Sequence, residues 1–236
     1  MNKTTKFLVF NIFLSSFSLH SQEVKISDNK QSIEYAKIFF KDKKYYRNTD
    51  VTGKIQLAKD EQIAKITAVG YEDFYPDGNA SSYILIPKTK TFNNPTPLNK
   101  KKYNIGSTTI NESNKLPLVS NGNGNTFAHL ISNNYTEPTF IKKIKFITEN
   151  RYKKRNVVFF KFFRNIDGVP QEEVFGMPIY CKTGTIIHTI DISKENIILP
   201  KEGLFVGFEW INISDNEFDV KDKNNSADKL LGPTVL

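Results

Sequence analysis

The segment Asn48-Thr49-Asp50-Val51-Thr52-Gly53-Lys54-Ile55-Gln56-Leu57 constrains this chain more than any other stretch. Asp50 can accept from the backbone N–H groups just ahead of it, and Gly53 tolerates a left-handed backbone, so the centre reads as a tight turn. Lys54-Ile55-Gln56-Leu57 then alternates with the period of a half-buried strand. Twelve residues further on, Val69-Gly70-Tyr71-Glu72 ends a third apolar run on a Gly-Tyr pair. Two short strands about a turn, then a third, are the pattern of a small β-sandwich.

The rest of the chain repeats that pattern. Short alternating runs are expected as strands over 24–26, 32–40, 53–57, 63–71 and 82–87. Further strands are expected over 140–148, 157–166, 174–180, 186–192, 196–199 and 204–211. Asp77-Gly78, Asn121-Gly122, Asn123-Gly124 and Asp167-Gly168-Val169-Pro170 punctuate them as turns. No stretch carries a convincing helical period. Many short strands separated by turn residues define an all-β class. We expect two β-sandwich domains: residues 22–90, a linker at 91–102 holding Lys100-Lys101-Lys102, and a jelly-roll-like sandwich over 103–236. Residues 214–229 are polar and charged and read as a mobile loop. The chain stops at Gly232-Pro233-Thr234-Val235-Leu236, where more strand sequence is expected.

The first 21 residues read as an export signal. Lys3 and Lys6 precede an apolar run from Phe7 to Leu19, and His20-Ser21-Gln22 forms a polar exit. The run is too short and interrupted for a membrane span, which needs about 20 residues. Loss of Lys3 and Lys6 would take the net charge from +8 to +6, a balance that favours acidic partners such as anionic polysaccharide. Cys181 is the single cysteine of the chain, so no internal disulfide can brace it. Stability must come from burial, for which 19 Phe and 10 Tyr are available. Cys181, in Met177-Pro178-Ile179-Tyr180-Cys181, reads as a buried, inert thiol.

The first region resembles the carboxypeptidase regulatory-like domain of Bacteroidetes surface proteins. The residues that carry the likeness are Ser32-Ile33-Glu34-Tyr35-Ala36, the turn with Asp50 and Gly53, and Ile66-Thr67-Ala68-Val69-Gly70-Tyr71. The resemblance implies a prealbumin-like sandwich over about residues 24–88, with Asp50, Gly53, Gly70 and Tyr71 as structural motif residues and no catalysis by this domain alone. The second region is similar, more weakly, to β-sandwiches that follow such domains in other Bacteroidetes proteins. That likeness rests on Phe140-Ile141, Phe162-Phe163, Ile190-Asp191-Ile192 and Phe205-Val206-Gly207-Phe208-Glu209-Trp210.

Searches for chemistry return little. His20-Ser21-Gln22-Glu23 straddles the expected cleavage point. His188 and Asp191 fall on opposite faces of a strand, whereas a zinc site needs three or four convergent ligands. Asp191 reads as a cap at a strand end, with calcium binding as the alternative. There is no Gly-x-Ser-x-Gly elbow and no phosphate-cradling Gly-x-x-x-x-Gly-Lys. No catalytic residue, cofactor or metal is therefore assigned. Arg151-Tyr152-Lys153-Lys154-Arg155 fits a hairpin tip better than a nucleic-acid surface. Trp210 alternates with Leu204, Val206 and Phe208 and belongs in the core.

Tyr45 and Tyr46, flanked by Lys43, Lys44 and Arg47, are the exposed aromatics expected to touch a ligand. The expected function is an exported, non-enzymatic binding or accessory protein of the periplasm, cell surface or medium, with a surface protein or glycan as partner. The alternatives are a carbohydrate-binding module or adhesin, and a hydrolase built from second-domain loops with His129 or His188.

Overall fold

The computed structural model describes residues 21–88, 102–105, 118–120, 126–136, 139–151, 155–221 and 227–235. Residues 1–20 of the expected leader, positions 91–101 of the linker, the Asn-Gly pairs at 121–124 and the basic run's centre at 152–154 lie outside them.

The chain is all-β. Its first six strands are β1 (Gln22–Ser27), β2 (Lys37–Phe40), β3 (Tyr46–Asn48), β4 (Lys54–Leu57), β5 (Ile63–Thr67) and β6 (Ser82–Ile84). They form two three-stranded sheets, β4-β1-β6 and β3-β2-β5. β1 is central in the first sheet, antiparallel to β4 and parallel to β6. Val24 and Ile26 of β1, Ile55 and Leu57 of β4, Ile38 and Phe40 of β2, and Ile63 and Ile66 of β5 meet between the sheets. Burying each such side chain contributes roughly 1.5–3 kcal/mol.

The expected strand over 32–40 is cut short. Tyr35 adopts φ 55°, so the two-residue period fails there. Tyr35 and Ala36 are both buried, and the strand starts only at Lys37. The turn at Asp50 forms as expected: its carboxylate accepts from Thr52 N, Thr52 Oγ1 and Lys54 N at 2.8, 2.7 and 2.9 Å. Burial pushes the Asp50 carboxyl up, but these three bonds outweigh it and hold the group below the usual aspartate range. Gly53 has φ +75°, and a Cβ there would stand 2.6 Å from Ile26 O. Only glycine fits. Gly70 also takes a positive φ, +82°, in open space, and Tyr71 packs on the core while donating its hydroxyl to Asp28 Oδ2 at 2.8 Å.

The second part contains β7 (Leu118–Ser120), β8 (Thr126–Ile131), β9 (Thr139–Phe140), β10 (Lys143–Asn150), β11 (Asn156–Ile166), β12 (Val169–Cys181), β13 (Gly184–Asp191), β14 (Ile198–Leu199), β15 (Leu204–Trp210), β16 (Glu217–Lys221) and β17 (Ala227–Val235). One sheet runs β12-β11-β15-β8. In the other, β13 pairs with β10, β10 with β17, and β17 with β7. β16 lies along the first half of β17. Eight strands in these two orders, passing repeatedly from one sheet to the other, make a jelly roll. Phe160, Phe162, Leu231 and Trp210 fill the space between the sheets, with Phe146 and Phe208 packed against them. Trp210 is fully buried and donates Nε1–H to Pro233 O at 2.7 Å.

Two expectations change here. Residues 214–229, read as a loop, carry β16 and the start of β17. The charged residues in these strands hide the alternation. β17 itself runs to Val235. Asp167-Gly168 does turn the chain, with φ 54° and 80°, but β12 resumes at once at Val169, so Pro170 lies within a strand. It occupies the edge of the sheet, where a missing N–H costs no ladder bond.

A third apolar cluster joins the two parts. Tyr35 meets Val157, Phe159 and Ile211, with Val69, Tyr180 and Ile213 packed around them. Tyr35 stands edge-on to Phe159 with ring centroids 6.1 Å apart. Polar bonds frame this joint. Asn212 N donates to Asn48 Oδ1 at 2.9 Å, and Tyr180 OH to Glu34 Oε2 at 2.6 Å. Burial and that bond together push the Tyr180 phenol far above its usual range. The Arg155 guanidinium covers the other side of Tyr180, 4.1 Å from the ring centroid. Among the described residues no helix is long and apolar enough to cross a membrane.

Candidate functional site

The joint leaves a cleft of about 830 Å³ between the two sandwiches. In the sheet β3-β2-β5, Ile38, Phe40 and Ile66 point into the core, so Lys37, Phe39, Lys65 and Thr67 must point out. They form one wall. The opposite wall comes from the β11–β12 hairpin, with Lys161, Glu173, Phe175 and Met177. Alternation again sets this: Phe160 and Phe162 fill the jelly-roll core, so Phe159 and Lys161 emerge on the outer face. Buried Tyr35 and Phe159 close the deep end. Val69 rests directly on Gly176, where a Cβ would meet both Val69 methyl groups at 3.1 Å.

A charge network crosses the inner end of the cleft. Lys161 Nζ lies 2.6 Å from Glu173 Oε2 and 2.8 Å from Glu209 Oε2. Lys37 Nζ, from the other sandwich, reaches Glu209 Oε1 at 2.7 Å. The Glu209 side chain is only 2% exposed and that of Lys161 only 6%. Burial alone would discharge Glu209, but the Lys161 and Lys37 ammonium groups outweigh it and hold its carboxyl below the usual range. Burial likewise opposes the Lys161 charge, and Glu209 and Glu173 override it, holding the ammonium above the usual lysine range. Such an amine stays charged at neutral pH and serves as a fixed cation, not as a base or nucleophile.

Outer charges pair as well. Lys65 meets Asp73 at 2.7 Å, and Arg164 meets Glu172 at 3.4 Å. Ammonium groups also cover the nearby rings. Lys65 Nζ lies 5.5 Å from the Tyr75 centroid and 6.0 Å from that of Phe39, and Lys37 Nζ lies 4.9 Å from that of Tyr46. The cleft thus offers apolar patches bounded by ion pairs of both orientations.

The aromatics singled out in the sequence separate. Tyr45 is 43% exposed, leans on Phe40 and donates to Glu61 Oε1 at 3.3 Å. Tyr46, the first residue of β3, turns the other way. It packs on Phe39 and points its hydroxyl at Glu209, 3.5 Å away. Burial and the Glu209 charge push its phenol well above the ordinary range. Tyr46 therefore belongs to the joint at the cleft end, and Tyr45 to the far edge of its sandwich. Lys37, Phe39, Lys161 and Glu173 were missed. Their alternation was visible, but a strand pattern alone does not tell which outer face meets another sandwich.

Of the other residues weighed for chemistry, Cys181, His188 and His129 lie elsewhere, and Asp191 lines the cleft. Cys181 is fully buried, and burial pushes its thiol up to about 11. His188 stacks on Phe146 and shares a 2.8 Å hydrogen bond with Thr148 Oγ1. Burial lowers its pKa, so the ring is neutral at pH 7. His129 lies on edge strand β8. Asp191 accepts from Ser193 N at 2.9 Å, the cap expected of it. Among the described residues no three His, Cys, Asp or Glu side chains gather as metal ligands.

The fold and cleft define an all-β protein of joined sandwiches. No protein-family model, curated protein or solved structure matches the chain.

Proposed function

We propose that this chain is an exported, non-enzymatic binding protein that seats a polypeptide segment of a surface partner between its two sandwiches. The observation that carries the reading is the cleft of about 830 Å³, whose walls alternate apolar side chains with ion pairs. Concave sites of this size with a few placed polar groups are the usual form of a binding site. Phe39, Phe175 and Met177 supply apolar contact. Lys37–Glu209, Lys161–Glu173 and Lys65–Asp73 place both signs of charge beside them. That mixture suits the side chains of a polypeptide. A glycan would want open ring faces, and Tyr46 is covered by Phe39 and by the Lys37 ammonium. Export rests on the leader-like start, and the carboxypeptidase regulatory-like resemblance supports a surface role.

The test is peptide-display selection on the immobilised protein, followed by affinity measurement on the Phe39→Ala/Phe175→Ala variant. Both side chains are only half-buried, so the variant should fold. Selected peptides are expected to lose at least tenfold in affinity. Equal binding to variant and parent would refute the assignment. Binding confined to a glycan array and lost with Tyr45→Ala would replace it with the adhesin reading.

A further inference from the structure

We infer that β13 is a docking edge for a second copy of this chain, paired antiparallel about a two-fold axis at Ile187. β13 runs Gly184-Thr185-Ile186-Ile187-His188-Thr189-Ile190-Asp191 and pairs along its whole length with β10, without a bulge. Among the described residues no other strand pairs with it. Its outer row of N–H and C=O groups is thus a template for a further strand.

The edges of the jelly roll are treated differently. β12 carries Pro170 and Pro178, a register break between Phe162 and Phe163, and the charged pair Glu172-Glu173. Those are the devices that keep strands from pairing edge to edge. β13 has none of them between Gly184 and Ile190, and Ile187 is 56% exposed at its centre. β8 also lacks charge but spans six residues against eight.

The sequence of β13 is complementary to itself. Residues directly opposite in an antiparallel pair share a face, so copies that keep their cores on one side must pair odd with odd. Centring on Ile187 sets Ile187 against Ile187 and Thr185 against Thr189 on the outer face. It sets Ile186 against His188 on the inner. Ile–Ile and Thr–Thr are favourable cross-strand pairs, and no like charges oppose. The ends match too. Lys182 precedes the strand and Asp191 closes it, so each Lys182 falls beside the Asp191 of the other copy. A two-fold contact of this kind closes on itself and stops at a dimer.

Sedimentation velocity over a concentration series tests this. The parent chain is expected to pass from monomer to dimer as concentration rises. Ile187→Lys, which sets two like charges face to face at an exposed position, is expected to stay monomeric with an unchanged circular dichroism spectrum. Ile187→Cys is expected to give a disulfide-linked dimer under mild oxidation, far more readily than Thr185→Cys. A parent that stays monomeric at every concentration overturns the inference. So does a dimer that persists in Ile187→Lys, or equal cross-linking through Thr185→Cys.

Discussion

Replacing Glu209 by Gln removes the charge that two lysines from different sandwiches share. The substitution keeps shape, so packing is preserved while Lys161 loses one of its two carboxylates and Lys37 loses its ion pair with Glu209. Breaking a buried pair by removing one partner costs about 3–5 kcal/mol, because the other charge stays buried and uncompensated. Lys161 keeps Glu173 at 2.6 Å, and Lys37 is 23% exposed along its side chain. The expected loss is therefore at the low end, about 3 kcal/mol, or roughly 6–12 °C in Tm for a chain of this size. Trp210 is the sole tryptophan, adjacent to Glu209 in β15, so its fluorescence in a urea titration reports the jelly roll directly. The pH dependence supplies a second reading. The folded state holds the Glu209 carboxyl below its unfolded value. Its stabilisation is therefore present above the ordinary glutamate range and is lost as pH falls through the lowered folded value. Gln does not titrate, so the variant should lose stability at pH 7 and approach the parent in acid. A double-mutant cycle with Lys37→Met should show coupling of about 0.5–3 kcal/mol, as for residues in contact. A stability at pH 7 within about 0.5 kcal/mol of the parent would refute the reasoning, because that is the range of a surface change away from any buried network.

Gly53→Ala should cost at least about 2 kcal/mol, since the left-handed backbone alone costs roughly 1–2 and the new Cβ would press on Ile26 O. Gly78→Ala is the control, with open space around it and no positive φ; equal melting temperatures for the two variants would contradict the turn assignment. Cys181 should react with a thiol reagent at pH 8 only as fast as the protein unfolds, because the group is buried and its pKa is about 11. Rapid stoichiometric labelling of the native protein would contradict that placement.

The architecture was legible wherever a strand had one wet face. The expected runs over 157–166 and 204–211 reappear as β11 and β15 with small shifts at their ends, since Phe160 and Phe162 alternate with Phe159 and Lys161. The turn at Asp50 and Gly53 was legible because its residues act locally. β12 was shortened in the reading, since Pro170 is a breaker anywhere but on an edge. β16 was lost because Glu217, Asp219 and Lys221 dominate its composition. The cleft was the least legible element. Its network unites Lys37, Lys161, Glu173 and Glu209, and the bonds from Lys37 and Tyr46 to Glu209 span 172 and 163 positions of chain. No local pattern encodes contacts at that range.

The buried charges at the joint have a structural consequence that apolar residues would lack. Tyr35, Val157, Phe159 and Ile211 can slide against one another at little cost, since apolar burial is not directional. Asn48–Asn212, Glu34–Tyr180 and Lys37–Glu209 require defined distances, and Glu209 is served from both sides at once. A rotation of one sandwich that separated Lys37 from Glu209 would leave a carboxylate of 2% exposure with Lys161 as its remaining ion pair. It would also pull Val69 from Gly176. The apolar cluster thus supplies attraction and the ionic pairs fix the angle. The cleft walls belong to different sandwiches, so the spacing of Phe39 from Phe175 follows from that angle. Loosening the joint with Glu209→Gln should accordingly weaken binding of peptides selected on the cleft, even though Glu209 does not line it.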